Sequence, residues 1–398
     1  MLCKHLLIAL TLLLPLSVRG LAQDKGGMEE FEAVDPYTEG DEEIVEKLGY
    51  VNVGDFAWYK SHRTKDIKEL LGGTDFLWVE TAHFKIGSSL GTYRIPADKE
   101  EKDLIKDDLA RLKKRFGRVK FPRHELDPWL RLHLYAMRAE EIYAQFFEDF
   151  RLQASDYPEK APYLGLPGKP LILLCERKAE LVRYTETMYQ QKYERVFRTG
   201  TYKECMFFGA STEGLRESWS NPEDQPFESM LYCQMAASLA HNFVDGYGGH
   251  LYKAPRWLGN VLGHVYVRRI NPRWVTAYGY TGADTRTEDS WKWRPDVLKM
   301  VKNDYFVSTR KMFTWQKYED MNKRDHMIAW SKLDYLLTQM KGDPKAFLEG
   351  MVVPEKGKEG VEELESRQVA ALQAGYGVSP EELDESWSAY VKKRYKKR

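Results

Sequence analysis

Phe227-Glu228-Ser229-Met230-Leu231-Tyr232-Cys233-Gln234-Met235-Ala236-Ala237-Ser238-Leu239-Ala240-His241-Asn242-Phe243, followed by Ala254-Pro255-Arg256-Trp257-Leu258-Gly259-Asn260-Val261-Leu262-Gly263-His264, are the stretches on which the reading of this chain turns. Both lie beyond Pro226, where the chain becomes helical, with stop signals at Gly246, Gly248-Gly249 and Pro272. They read as two successive helices, the first carrying His241 and the second opening at Pro255.

Toward the N-terminus the pattern changes from helix to strand. Phe76 to Thr81 and His83 to Ile86 look like strand material bounded by Gly72-Gly73 and Gly87. Pro170 to Cys175 reads as a fully buried strand, and Tyr202 to Gly209 as another. Between them, Ile105, Leu109, Leu112 and Phe116 recur at helical spacing before a stop at Gly117, and a broad apolar stripe predicts a long core helix from about Asp127 to Leu152. His124-Glu125 superficially begins a metallopeptidase motif, but Pro128 takes the place of the second histidine.

Toward the C-terminus the chain reads as nearly all helix from Asn303 onward. Ala329, Leu333, Leu336, Leu337 and Met340 form one stripe, and Ser379-Pro380-Glu381-Glu382 is a capping box with proline at the first helical position. The fold class is therefore α+β: a small N-terminal mixed sheet with helices over 46–220, then a mostly helical part over 221–390.

The ends differ from this body. In residues 1–23, Lys4 and His5 precede the apolar run Leu6 to Leu14, too short to span a bilayer but suited to a signal peptide, which implies an exported protein, periplasmic or extracellular. Residues 24–45 read as a flexible acidic leader and 391–398 as a solvated basic tail. Loss of Lys4 and Arg19 from 60 basic residues, against 60 acidic ones, leaves a net charge near −2, which gives no global field for nucleic acid. No transmembrane segment is expected after signal removal. Cys175, Cys205 and Cys233 can form at most one disulfide, and their spacing matches no zinc knuckle, so all three are expected as small buried residues.

The two opening stretches resemble the gluzincin type of zinc metallopeptidase. In that family one helix carries His-Glu-x-x-His and a second opens with Pro-x-Trp-Leu-x-Glu-Gly, whose Glu is the third zinc ligand. Two imidazoles one turn apart aim at one point, a carboxylate closes the tripod, and the fourth position holds water for the Glu base to deprotonate. Aligned on His241 and on Pro255, Trp257 and Leu258, the first-histidine position is Ala237, the base position Ser238 and the third-ligand position Asn260. A methyl group cannot coordinate, a serine is too weak a base, and a neutral amide is a poor zinc ligand.

Other segments carry the resemblance outward to secreted peptidase-MA-like proteins: Val79 to Phe84, Leu171 to Cys175, Ala329 to Leu337 and Leu383 to Tyr390. It implies a pseudo-peptidase with a vestigial site at Ala237, Ser238, His241 and Asn260. No metal or other cofactor is expected, and a binding or structural role in the cell envelope, with a peptide or envelope partner, is.

Two other functions fit parts of the sequence. A metallohydrolase with a relocated zinc would draw on His241, His250 and His264, with Asp245 or Asn260 nearby. A glycan binder would use Trp274, Trp291 and Trp293 around the loop 278–290, whereas the spacing of Glu288 and Asp289 does not set the carboxylate separation that glycosidase work needs. For these tryptophans core packing is the stronger expectation.

Overall fold

The computed structural model describes residues 34–117, 120–201, 204–217, 226–251, 254–272, 274, 293–354 and 359–395. Its strands are β1 (Tyr50–Val53), β2 (Ala57–Tyr59), β3 (His62–Arg63), β4 (Leu77–Thr81), β5 (Lys85–Ser88), β6 (Tyr93–Arg94), β7 (Glu125–Leu126), β8 (Leu171–Cys175), β9 (Val196–Thr201) and β10 (Cys205–Ser211). Its helices are α1 (Glu42–Lys47), α2 (Thr64–Leu70), α3 (Lys99–Phe116), α4 (Pro128–Asp149), α5 (Lys178–Tyr189), α6 (Thr212–Arg216), α7 (Phe227–Gly246), α8 (Arg256–Ile270), α9 (Trp293–Lys302), α10 (Thr309–Met312), α11 (Lys323–Thr338), α12 (Pro344–Met351), α13 (Val361–Tyr376) and α14 (Pro380–Arg394). The architecture is α+β, as the residue pattern predicts. Among the described residues the strands all precede Thr212, and every element from Phe227 onward is helical.

Six strands form one mixed sheet in the order β1-β4-β5-β8-β10-β9. β8 pairs in parallel with both neighbours, and the outer pairings are antiparallel. Because β8 sits inside the sheet with both faces covered, it is an unbroken apolar run rather than an alternating one. Ile172 and Leu174 enter the main core with Val79, Ile86 and Phe208, against α4 and α7. Leu171, Leu173 and Cys175 enter a second cluster with Trp78 and Phe207, against α2 and α5. The main core is continuous from Tyr37 to Tyr395 and so joins the sheet to the helical half.

The central helix α7 is fixed by charges that lie wholly inside the protein. Glu228, in its first turn, accepts hydrogen bonds from Arg131 Nη2 (2.5 Å), Tyr135 Oη (2.8 Å) and Arg138 Nη1 (3.4 Å), all on α4. Arg138 also pairs with Asp108 of α3 at 2.6 Å. Glu101 of α3 caps α7, accepting from the amides of Glu228 (2.8 Å) and Ser229 (2.9 Å) and from the Ser229 hydroxyl. An anion at a helix N-terminus is favourable because the exposed amides and the helix dipole both point at it. Burial alone would raise the Glu228 carboxyl, but the charges of Arg131 and Arg138 outweigh burial and hold it below the usual range.

Two terminal expectations are corrected. Within 24–45, Asp35, Tyr37 and Thr38 are buried, and α1 starts at Glu42 behind an Asp41 cap. Tyr37 packs edge-on against Phe121 and His133, while His133 Nε2 lies 3.1 Å from Asp35 Oδ2. The acidic composition hid one aromatic anchor and one buried partner. Within 391–398, α14 continues to Arg394 with Val391 and Tyr395 buried, so the basic run is the outer face of a packed helix as far as Tyr395. The proposed signal segment 1–23 lies outside the described residues.

Removing one partner of a buried charge network leaves another uncompensated. Arg138→Leu is expected to cost about 3–5 kcal/mol, read as a lower urea midpoint at neutral pH. A change under about 1 kcal/mol would show that the network does not anchor α7.

Candidate functional site

α7 and α8 pack face to face with small residues between them. A Cβ on Gly259 would stand 2.2 Å from His241 Cδ2 and 2.7 Å from Nε2, so the α8 backbone rests directly on the imidazole. One turn further along α8, a Cβ on Gly263 would lie 3.4 Å from the Cα and Cβ of Ala237. The two α7 positions that the resemblance assigns to histidines therefore share a face, and that face is filled by helix packing. Ser238 donates its hydroxyl to the Gln234 carbonyl at 2.7 Å. Asn260 is buried, and its Nδ2 has no hydrogen-bond partner among the described residues.

A side chain absent from the sequence-based assignment completes the site. Arg198, on the edge strand β9, reaches across to α7 and donates to His241 Nε2 (2.8 Å), Asp245 Oδ2 (2.7 Å) and Asn242 Oδ1 (3.3 Å). A guanidinium has only donors, so the His241 Nε2 must accept, which makes the ring the neutral tautomer with its proton on Nδ1. Burial lowers the His241 pKa well below its ordinary value, and the positive charges of Arg198 and Arg256 add to the effect. Burial also raises the Asp245 carboxyl, against the pull of Arg198. Tyr318, from a 3-10 turn at Tyr318–Asp320, brings its hydroxyl to 3.3 Å from the same Nε2. Asn242 Nδ2 donates to the Phe207 carbonyl at 3.0 Å and so ties this face of α7 to the sheet.

These residues do not fit a zinc ion. Ala237 offers a methyl group, the His241 lone pair that would ligate is directed at a guanidinium, and a dication there would face the Arg198 charge at close range. Arg198 is the cation that His241, Asn242 and Asp245 share.

The other candidate ligands keep separate company. His250 follows the 3-10 turn Tyr247–Gly249, half-buried, its pKa lowered by burial. His264 points its Nε2 at His326 Nδ1 of α11 (3.1 Å) and meets Trp293 edge-on. Among the described residues no three His, Cys, Asp or Glu side chains are grouped to hold a metal ion. Trp274 and Trp293 are buried, as are Trp257 and Trp330, which leaves no exposed ring at these positions for stacking a sugar. Trp291, Glu288 and Asp289 lie outside the described residues. Cys175, Cys205 and Cys233 are buried.

Two outcomes follow from this packing. Gly259→Ala is expected to destabilise by about 1–3 kcal/mol despite the better helix propensity of alanine, because its methyl displaces His241, whereas Gly263→Ala is expected to be neutral or slightly stabilising. Urea unfolding of both variants checks this, and equal effects would contradict the close approach at Gly259.

The second outcome concerns pH. Burial lowers the pKa of His326 to about 4 and that of His264 well below its usual value, with His326 and Arg268 adding to the latter. Unfolded, both titrate near 6.5, so between about pH 6.5 and about 4 the unfolded chain binds more protons and stability falls as pH falls. His326→Asn should flatten that decline in thermal melts, and an unchanged slope would mean that His326 is not a source of the acid lability.

No protein-family model, curated protein or solved structure matches this chain.

Proposed function

We propose that this chain is an exported, non-catalytic protein on a gluzincin-like scaffold, a pseudo-peptidase whose former metal position has become a fixed polar junction. Its role is to bind a peptide or another envelope component, or to serve structurally there. The observation that carries this reading is Arg198: its guanidinium engages the imidazole, amide and carboxylate of His241, Asn242 and Asp245 from within the chain. A neutral histidine with its acceptor engaged has no lone pair at that atom for a metal or for a substrate proton. The base position gives the same answer, since the Ser238 hydroxyl donates to the carbonyl one turn back. No helix among the described residues is long and apolar enough to cross a membrane.

Metal content by plasma mass spectrometry on freshly purified protein tests this directly, with His241→Ala as control and peptide hydrolysis assayed in parallel. The expected outcome is less than stoichiometric zinc, the same in both proteins, and no hydrolysis. Zinc near one equivalent that disappears in the His241→Ala variant would overturn the proposal and point to a metallohydrolase with a relocated site, with His250 and His264 as the next substitutions.

A further inference from the structure

Among the described residues, the buried charges of Arg131, Arg138, Asp108 and Glu228 are neutralised within the chain, and a concave surface elsewhere is of a different kind. Between α9 and the first turns of α11 lies a cavity of about 440 Å³. Among the described residues, Lys299, Lys323 and Arg324 line it together with one carboxylate, Asp296. Neither Lys299 nor Arg324 has a carboxylate within ion-pair distance among the described residues, unlike the buried Arg131 and Arg138. Met300 and Met327, both buried, supply an apolar floor.

The rim is an aromatic ring held in place. Asp304, in the left-handed region at φ 52°, turns the chain as α9 ends, and the Tyr305 amide donates to the Met300 carbonyl at 2.9 Å. Tyr305 is 62% exposed, yet it is not loose. Arg324 Nη1 donates to its hydroxyl at 2.9 Å, and the Arg324 guanidinium carbon lies 5.3 Å from the ring centroid. Asn322 Oδ1 already accepts from the amides of Arg324 and Asp325 at the start of α11. Side chains, rather than the helix terminus, are therefore what the cavity offers an anion.

We infer that this cavity binds a small anion, a carboxylate or a phosphate, joined to an apolar or aromatic body. The charged head sits between Lys299, Lys323 and Arg324, and the body lies on the methionine floor against Tyr305. Attraction to exposed cations is screened by salt, so binding weakens as ionic strength rises. Methionine floors adapt to differing shapes, and an aromatic rim favours a flat body.

The test is calorimetric titration of the purified protein with phenyl phosphate and with phenylacetate at low salt, alongside inorganic phosphate and phenol. The expected result is saturable one-to-one binding of at least one aromatic anion, tighter than either half alone. Whichever anion binds more tightly identifies phosphate or carboxylate as the head. The double variant Lys299→Ala/Arg324→Ala is expected to weaken binding about tenfold or more, while Lys106→Ala on α3 leaves it unchanged. Both lysines are on exposed helix faces, and the melting temperature of each variant verifies folding. Absence of saturable binding up to millimolar concentration, or an affinity indifferent to the double substitution, overturns the inference.

Discussion

The placement of α7 against α3 and α4 depends on a carboxylate set where water cannot reach it. Glu228 enters the interior at the first turn of α7 only because Arg131, Arg138 and Tyr135 of α4 meet it there. Glu101 of α3 takes the amides that the helix start would otherwise leave unpaired. An ion pair of this kind is poor evidence for stability on its own, since the cost of removing charges from water rivals their attraction. What it supplies is direction: three helices can satisfy these groups in one relative arrangement, and apolar packing alone would tolerate several. With α7 set against α3 and α4, its opposite face is committed to α8 and to the sheet.

That commitment explains the second junction. His241, Asn242 and Asp245 lie on the inner part of α7, where a dry environment penalises each of them unless a partner is provided. The edge strand provides one, because β9 pairs with β10 and α7 packs across both, which brings Arg198 to all three acceptors. Gly259 then lets α8 close over the imidazole. One physical condition lies behind this pairing: acceptors that stay buried need a positive partner, whether an ion or a guanidinium.

The parts legible from sequence were those with a local cause. The run Leu171 to Cys175 predicts a doubly covered strand, and the Ser379 capping box predicts the start of α14 to the residue, since Ser379 accepts from the Glu382 amide. The helix over Pro128–Asp149 follows from its stripe and its Asp127 cap. What sequence could not show was pairing at a distance. Arg198 is one arginine among many, 43 positions from His241, and no spacing rule links a strand residue to a helix beyond it. The expectation for the leader failed over 34–45 for the same reason: Asp35 looks like one more acid in an acidic run until His133 is placed beside it. β9 and α5 carried too little periodicity to be separated from the loops around them.

The distribution of satisfied and unsatisfied charge then bears on where this protein meets other molecules. At α7 each buried charge has an internal partner, so a ligand arriving there would have to break as many contacts as it makes, with little net gain. At the α9 and α11 cavity the balance differs, since among the described residues neither Lys299 nor Arg324 has a carboxylate within ion-pair distance, and Arg324 holds an exposed aromatic ring beside them. Binding energy is available where the fold leaves groups unpaired and accessible, and it is spent where the fold has already paired them. The α7 junction and the cationic cavity are thus complementary consequences of the same rule, one closed by its own residues and the other left open.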